Sequence, residues 1–197
     1  MVSDLSLKHE YYRKMFHVLA GVGFIGVALL VDLRYGQVAL LPLLFIGLLI
    51  SLVADHLRIE RGFKVPFFRF LERAREVGRL HATTYTFIGA LLAFLFFERD
   101  VAYAAIAMFF VGDAAAAVFG RTWGKGSKFI GKKSVVGTLS MFVFSLIVGW
   151  AITSSLPVAL VMAFVATLVE AVSEKMDDSF LIIIFAGVAG QIIVGLL

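Results

Sequence analysis

Gly112–Thr138 reads GDAAAAVFGRTWGKGSKFIGKKSVVGT. An alanine-rich apolar helix carrying one carboxylate, Asp113, runs into a glycine-rich basic segment, and a second apolar helix begins near Val135. A bare carboxylate inside a membrane helix costs about 2.5–3.5 kcal/mol, so Asp113 asks for a partner or a function. The segment after it interleaves Gly120, Gly124, Gly126, Gly131 and Gly137 with Arg121, Lys125, Lys128, Lys132 and Lys133. Glycines let backbone amides approach a phosphate closely, and lysines supply charge. The pattern points to a nucleotide-phosphate and metal site at the cytoplasmic face of a membrane protein. Gly126–Lys133 comes close to a Walker A loop, but Lys133 stands where that loop requires Ser or Thr, and the preceding element is an apolar helix rather than a strand. A P-loop NTPase is excluded on both counts.

Composition agrees with a membrane setting. The chain has 197 residues, 61% hydrophobic and 16% charged, with a mean hydropathy of +0.97. Soluble domains average about 45–50% apolar and about 25% charged residues. There is no cysteine, which excludes disulfides and thiolate metal sites. No cleavable signal peptide is expected, because the first apolar run follows a charged start and lacks a small-residue cleavage site.

Working outward from Gly112–Thr138, seven apolar runs predict an all-α polytopic bundle in a single integral membrane domain. They cover approximately residues 10–31, 37–54, 81–97, 101–120, 135–153, 158–173 and 180–197. Runs this apolar are helices, because lipid offers no partners to an open backbone. Asp4–Tyr12 predicts a short interfacial helix before the first run. Asp55–Arg79, with Arg58, Arg61, Lys64, Arg69, Arg73, Arg75 and Arg79 among phenylalanines, predicts a basic amphipathic segment on the membrane surface. With seven spans, all of the 18 Lys and Arg except Arg34 and Arg99 fall on one side. The positive-inside rule makes that side cytoplasmic, with the N-terminus inside and the C-terminus outside.

Two further groups fall on the same side. Glu10, Arg13, Lys14 and His17 share one helix face at offsets of three and four. Arg13 and Lys14 are also ordinary interface anchors; His17, deeper, would contact phosphate or orient a carboxylate, or sit neutral in the core. Glu170, Glu174, Asp177 and Asp178 form an acidic stripe if the sixth helix continues. Carboxylates beside a basic phosphate site suit Mg²⁺, which binds through one or two carboxylates plus substrate phosphates. Ala114–Ala117 are better read as close packing than as chemistry.

These motifs together resemble the CTP-dependent lipid kinases: dolichol kinase, phytol kinase and the yeast-type diacylglycerol kinase, relatives of the CDP-diacylglycerol synthases. The resemblance lies in E-x-x-R-K-x-x-H (Glu10, Arg13, Lys14, His17) and G-D-A-x-A with its following glycines (Gly112, Asp113, Ala114, Ala116, Gly120, Gly124). It continues in G-K-K-S-x-E-G-[ST] (Gly131 to Thr138) and in V-E-A followed by D-D-N (Val169, Glu170, Ala171, then Asp177 and Asp178). Val136 and Ser179 depart from the usual glutamate and asparagine.

The resemblance implies phosphoryl transfer from CTP to the hydroxyl of a membrane lipid, an isoprenoid alcohol first and diacylglycerol second. Asp113, Glu170 and His17 are the implied catalytic groups. Arg13, Lys14, Gly120, Gly124, Lys125, Lys128, Lys132, Lys133, Ser134, Gly137 and Thr138 would bind nucleotide and phosphate. Asp113, Asp177 and Asp178 would hold Mg²⁺. Partners are the nucleotide, the lipid alcohol and membrane lipids, with a second copy of the chain as a further candidate and no nucleic acid. Two rivals use the same residues differently. A cytidylyltransferase would release pyrophosphate and a CDP-lipid. A transporter would distribute its charges through both halves of the membrane, whereas here they gather on one side.

Overall fold

The computed structural model describes residues 2–62, 79–124, 126, 133–173 and 178–197, with side chains from residue 11 in the first helix and from residue 179 in the last. Among these residues the fold is all-helical: α1 Val2–Tyr35, a 3-10 turn Gln37–Ala39, α2 Leu40–Arg61, α3 Ala82–Phe96, α4 Arg99–Trp123, α5 Val135–Thr153, α6 Leu156–Val172 and α7 Asp178–Leu196. α1, α2, α4, α5 and α7 hold stretches long and apolar enough to cross a membrane, and α3 and α6 are shorter apolar helices. Leu19, Leu30, Leu33, Leu49, Ile147 and Phe164 all lie exposed on the outside of the bundle. Apolar cover on that scale faces lipid; in water it would be a large unpartnered patch. The chain is a polytopic helical membrane protein.

Local chemistry sets the helix ends. Gly36 (φ 83) stops α1, and its N–H donates to the Asp32 carbonyl at 2.8 Å. Gly62 adopts the left-handed conformation (φ 63) that closes α2. Ser134 caps α5, its side chain accepting from Gly137 N–H. Pro157 falls in the first turn of α6, where its missing N–H costs nothing.

Three expectations need correcting. The N-terminal polar segment is not a separate interfacial helix, since α1 runs unbroken from Val2. Nothing between Asp4 and Met15 breaks a helix, so it propagates. Asp55–Arg61 is the end of α2 rather than the start of a surface segment; residues 63–78 of that segment lie outside the described residues. The run expected from residue 101 starts two residues earlier: Glu98 is the N-cap of α4, and Arg99 and Asp100 lie in its first turn.

α4 is the central element. Every residue from Val101 to Phe110 is buried, as are Gly112 to Ala116. A helix apolar on all sides belongs inside a bundle. Its neighbours are α5, α1 and α7; α6 bridges α5 and α7, and α2 reaches the bundle through α3. Small residues bring these helices close. A Cβ on Gly112 would lie 2.5 Å from Ser145 Oγ and 2.6 Å from Met141 Sδ of α5, and Gly21 of α1 lies directly against the Phe110 ring.

Candidate active site

α1 and α4 run antiparallel, which brings the RK-x-x-H face of α1 to the lower half of α4. The Lys14 ammonium donates to Asp113 Oδ2. Both residues are buried. His17 Nε2 stands 3.5 Å from the same oxygen. The His17 ring packs edge-on to Phe109 and tilted against Phe110, each with centroids 5.0 Å away. The carboxylate predicted to need a partner has one, drawn from 99 residues away in the sequence. The pairing neutralises Asp113 where an isolated charge would be costly. Arg13, one residue before Lys14, is half-buried beside it.

A second lysine–carboxylate pair lies between the start of α5 and the end of α6. Lys133 Nζ donates to Glu170 Oε1; Glu170 is buried in the last turn of α6. Lys133 directly precedes the cap of α5, and Ser134 fixes where it sits. Ser134 Oγ accepts from Gly137 N–H at 3.1 Å and donates to the Gly120 carbonyl at 3.4 Å. That contact ties the start of α5 to α4 about 10 Å along the axis from Asp113, at 1.5 Å per residue. Gly120, Gly124 and Gly137 surround Ser134. A Cβ on Gly120 would lie 2.9 Å from Ser134 Oγ, and one on Gly137 2.9 Å from the Ala116 carbonyl. In this structure the three glycines let α4 and α5 close on each other. Thr138, one turn into α5, has a buried hydroxyl with no hydrogen-bond partner among the described residues.

The structure thus brings Lys14, His17 and Asp113 together, and separately Lys133 and Glu170, at the same end of the bundle. Lys125, Lys128, Lys132 and Asp177 lie outside the described residues, as does the side chain of Asp178, whose backbone opens α7. Among the described residues no three His, Asp or Glu side chains gather as a ready metal cluster. The donor chemistry still fits Mg²⁺, which needs only one or two protein carboxylates when substrate phosphates complete its shell. Asp113 is one such carboxylate among the described residues.

Two buried polar clusters escape a reading of the sequence alone. At the same end, Asp55 Oδ2 accepts from His81 N–H at 2.9 Å and Thr84 Oγ1 at 2.7 Å, and its Oδ1 accepts from Arg58 at 3.0 Å. The carboxylate ties the end of α2 to the start of α3, whose N-cap is His81. At the opposite end, Asp32 Oδ2 accepts from Arg99 Nε at 2.6 Å and Tyr103 OH at 3.1 Å. A carboxylate closing an apolar run is the available signal for both.

Sequence comparison extends the resemblance. The chain is 33% identical over 150 residues to the CTP-dependent diacylglycerol kinase 1 of Eremothecium gossypii, covering 73% of this chain and 46% of that protein. It is 29% identical over 157 residues to the CTP-dependent diacylglycerol kinase 1 of Saccharomyces cerevisiae, covering 75% and 51%. The chain is similar to the CTP-dependent lipid kinases. It spans about half the length of these two relatives. No family model and no solved structure matches it. The kinship read from four separated motifs therefore holds over about three quarters of the chain, from the sequence side alone.

Proposed function

We propose that this protein is a CTP-dependent lipid kinase working at the cytoplasmic rim of the bundle. One observation carries the reading: a chain similar to CTP-dependent diacylglycerol kinases sets two lysine–carboxylate pairs, Lys14–Asp113 buried and Lys133–Glu170 partly exposed, at the end of the bundle where α4 runs into the glycine- and lysine-rich segment. Phosphoryl transfer asks little covalent chemistry of a protein; it asks for positioning and charge neutralisation. Lys133, with Lys125, Lys128, Lys132, Arg13 and Lys14, would neutralise the triphosphate, and Ser134 and Thr138 would add hydrogen bonds, with Gly120, Gly124 and Gly137 packed around Ser134 to hold it in place. Asp113, Asp177 and Asp178 would hold Mg²⁺, which when bound neutralises charge on the phosphates. Glu170 or Asp113 would accept the proton of the lipid hydroxyl, and His17 would orient Asp113. The lipid would approach between helices with its tail in the bilayer.

Diacylglycerol is the first lipid to try, because both relatives are named for it; an isoprenoid alcohol of the polyprenol, dolichol or phytol type is the second, on the motifs. The test is purified protein in lipid vesicles with labelled CTP and a panel of both alcohols. CDP plus a lipid phosphate is expected. Pyrophosphate plus a CDP-lipid would replace the kinase with a cytidylyltransferase, and no turnover of any lipid would remove the enzyme reading.

A further inference from the structure

α1 crosses the bundle on a narrow and nearly featureless stripe. Between its two ends the residues it buries are Gly21 and Ala28. Phe24 adds a ring between Phe87 of α3 and Phe110 of α4. Apolar contact of this kind is non-directional and does little to fix how far α1 slides or turns.

The directional contacts sit at the two rims, and their signs are reversed. Inside, α1 supplies the cation and α4 the anion, Lys14 to Asp113. Outside, α1 supplies the anion and α4 the cation, Asp32 to Arg99, with Tyr103 donating to the same carboxylate oxygen. Lys14 and Asp32 are about 27 Å apart along the axis at 1.5 Å per residue, close to the ~30 Å depth of the hydrocarbon layer. The outer end is further tied down. Gly36 ends the helix one turn after Asp32, and Gln37 Nε2 donates to the Phe94 carbonyl of α3 at 3.1 Å.

We propose that the Asp32–Arg99–Tyr103 clasp positions the site on the other side of the membrane. It sets the axial register and rotation of α1, and a stiff helix carries that setting to Lys14 and His17, which then meet Asp113. Asp32, Arg99 and Tyr103 are positioning residues for the inner rim. The proposal rests on the kinase reading of that rim, but its test separates the two.

The chain has no cysteine, so register can be read chemically. The Tyr11 and Thr122 hydroxyls touch at the inner end of the α1–α4 seam. Tyr11→Cys with Thr122→Cys, bridged in vesicles by a short bis-methanethiosulfonate, reports whether α1 is in place. Bridging is expected to be efficient in this background. It falls several-fold on adding Asp32→Asn or Arg99→Gln, falls less with Tyr103→Phe, and recovers in the swapped pair Asp32→Arg with Arg99→Asp. Lipid phosphorylation follows the same order. Undiminished bridging in Asp32→Asn or Arg99→Gln protein that elutes as one folded species in detergent overturns the proposal. If neither variant folds, Tyr103→Phe decides by the same criterion. Bridging that changes while phosphorylation does not also overturns it. An unsubstituted chain that phosphorylates no lipid removes the kinase reading and leaves the bridging series to stand or fall alone.

Discussion

Lys14 and Asp113 lie 99 residues apart in the chain and form one ion pair buried between α1 and α4. Each is a candidate ligand on its own, the lysine for phosphate and the aspartate for metal. Their pairing adds a consequence for stability. Removing one member of a buried pair leaves the other uncompensated, at a cost of about 3–5 kcal/mol. Asp113→Asn is therefore expected to abolish turnover and also to lower the unfolding midpoint in detergent. Adding Lys14→Met should restore most of the stability and none of the activity. Denaturant unfolding of the two variants checks this; an Asp113→Asn protein as stable as the parent would show that the pair does not hold the helices together.

Glu170 makes a contrasting case. Its partner Lys133 has a side chain 28% exposed, so the ammonium can turn to water when the carboxylate is removed. Glu170→Gln should abolish or strongly reduce turnover with a stability loss of about 1 kcal/mol, near the range of solvent-screened pairs. Measuring turnover and unfolding on the same preparation tells the two carboxylates apart. Equal stability losses at Asp113 and Glu170 would contradict the difference in burial between their partners, Lys14 and Lys133.

How far the sequence can be read shows in these residues. The apolar runs reveal the helices because a span must be long and apolar, and the run 135–153 matches α5 residue for residue. Ends set by backbone conformation are harder: α2 continues past Ala54 through charged residues to Gly62, since Arg58 and Arg61 lie at a rim where water is within reach. Asp113 stands out as a lone charge among alanines. Its partner Lys14 does not, because helical spacing shows which residues share a face and not what the face meets. Asp55 reads as the start of a surface segment, since two of the three groups that donate to it, on His81 and Thr84, lie 26 and 29 residues further along the chain, beyond any local pattern.

The glycines around Ser134 predict a packing effect that a solvent-exposed loop would not show. A Cβ on Gly124 would overlap Ser134 Oγ and the Gly120 carbonyl, and one on Gly137 would press on the Ala116 carbonyl at 2.9 Å. Backbone atoms cannot yield as side-chain tips do. Gly124→Ala and Gly137→Ala should each cost about 1–3 kcal/mol, the usual range for overpacking. A methyl added at Gly23 of α1 would meet nothing within 4 Å, so Gly23→Ala should be neutral or stabilise by up to about 1 kcal/mol through helix propensity. Unfolding midpoints of the three variants test the contrast.

Magnesium removal gives a further check on the charge arrangement. If the carboxylates hold a divalent ion together with the triphosphate, chelation with EDTA should stop CTP turnover, and added Mg²⁺ should restore it. Turnover that survives exhaustive chelation would leave the lysines alone to neutralise the phosphates and would withdraw the metal role from Asp113, Asp177 and Asp178.

Thr138 separates packing from binding most cleanly. Its hydroxyl is buried and has no hydrogen-bond partner among the described residues. A buried hydroxyl left unpaired is costly, by about 1–3 kcal/mol. Thr138→Val keeps the shape and deletes the hydroxyl. If the group only fills space, the valine variant should be as stable or more stable, with unchanged kinetics. If it bonds a phosphate oxygen when nucleotide is bound, the same variant should gain stability without ligand and lose affinity with it. The expected outcome is a raised unfolding midpoint in the free protein together with a CTP KM increased about 10- to 100-fold, the equivalent of one hydrogen bond to a charged group. A variant with parental KM would assign Thr138 to packing alone and confine phosphate recognition to the cations and Ser134.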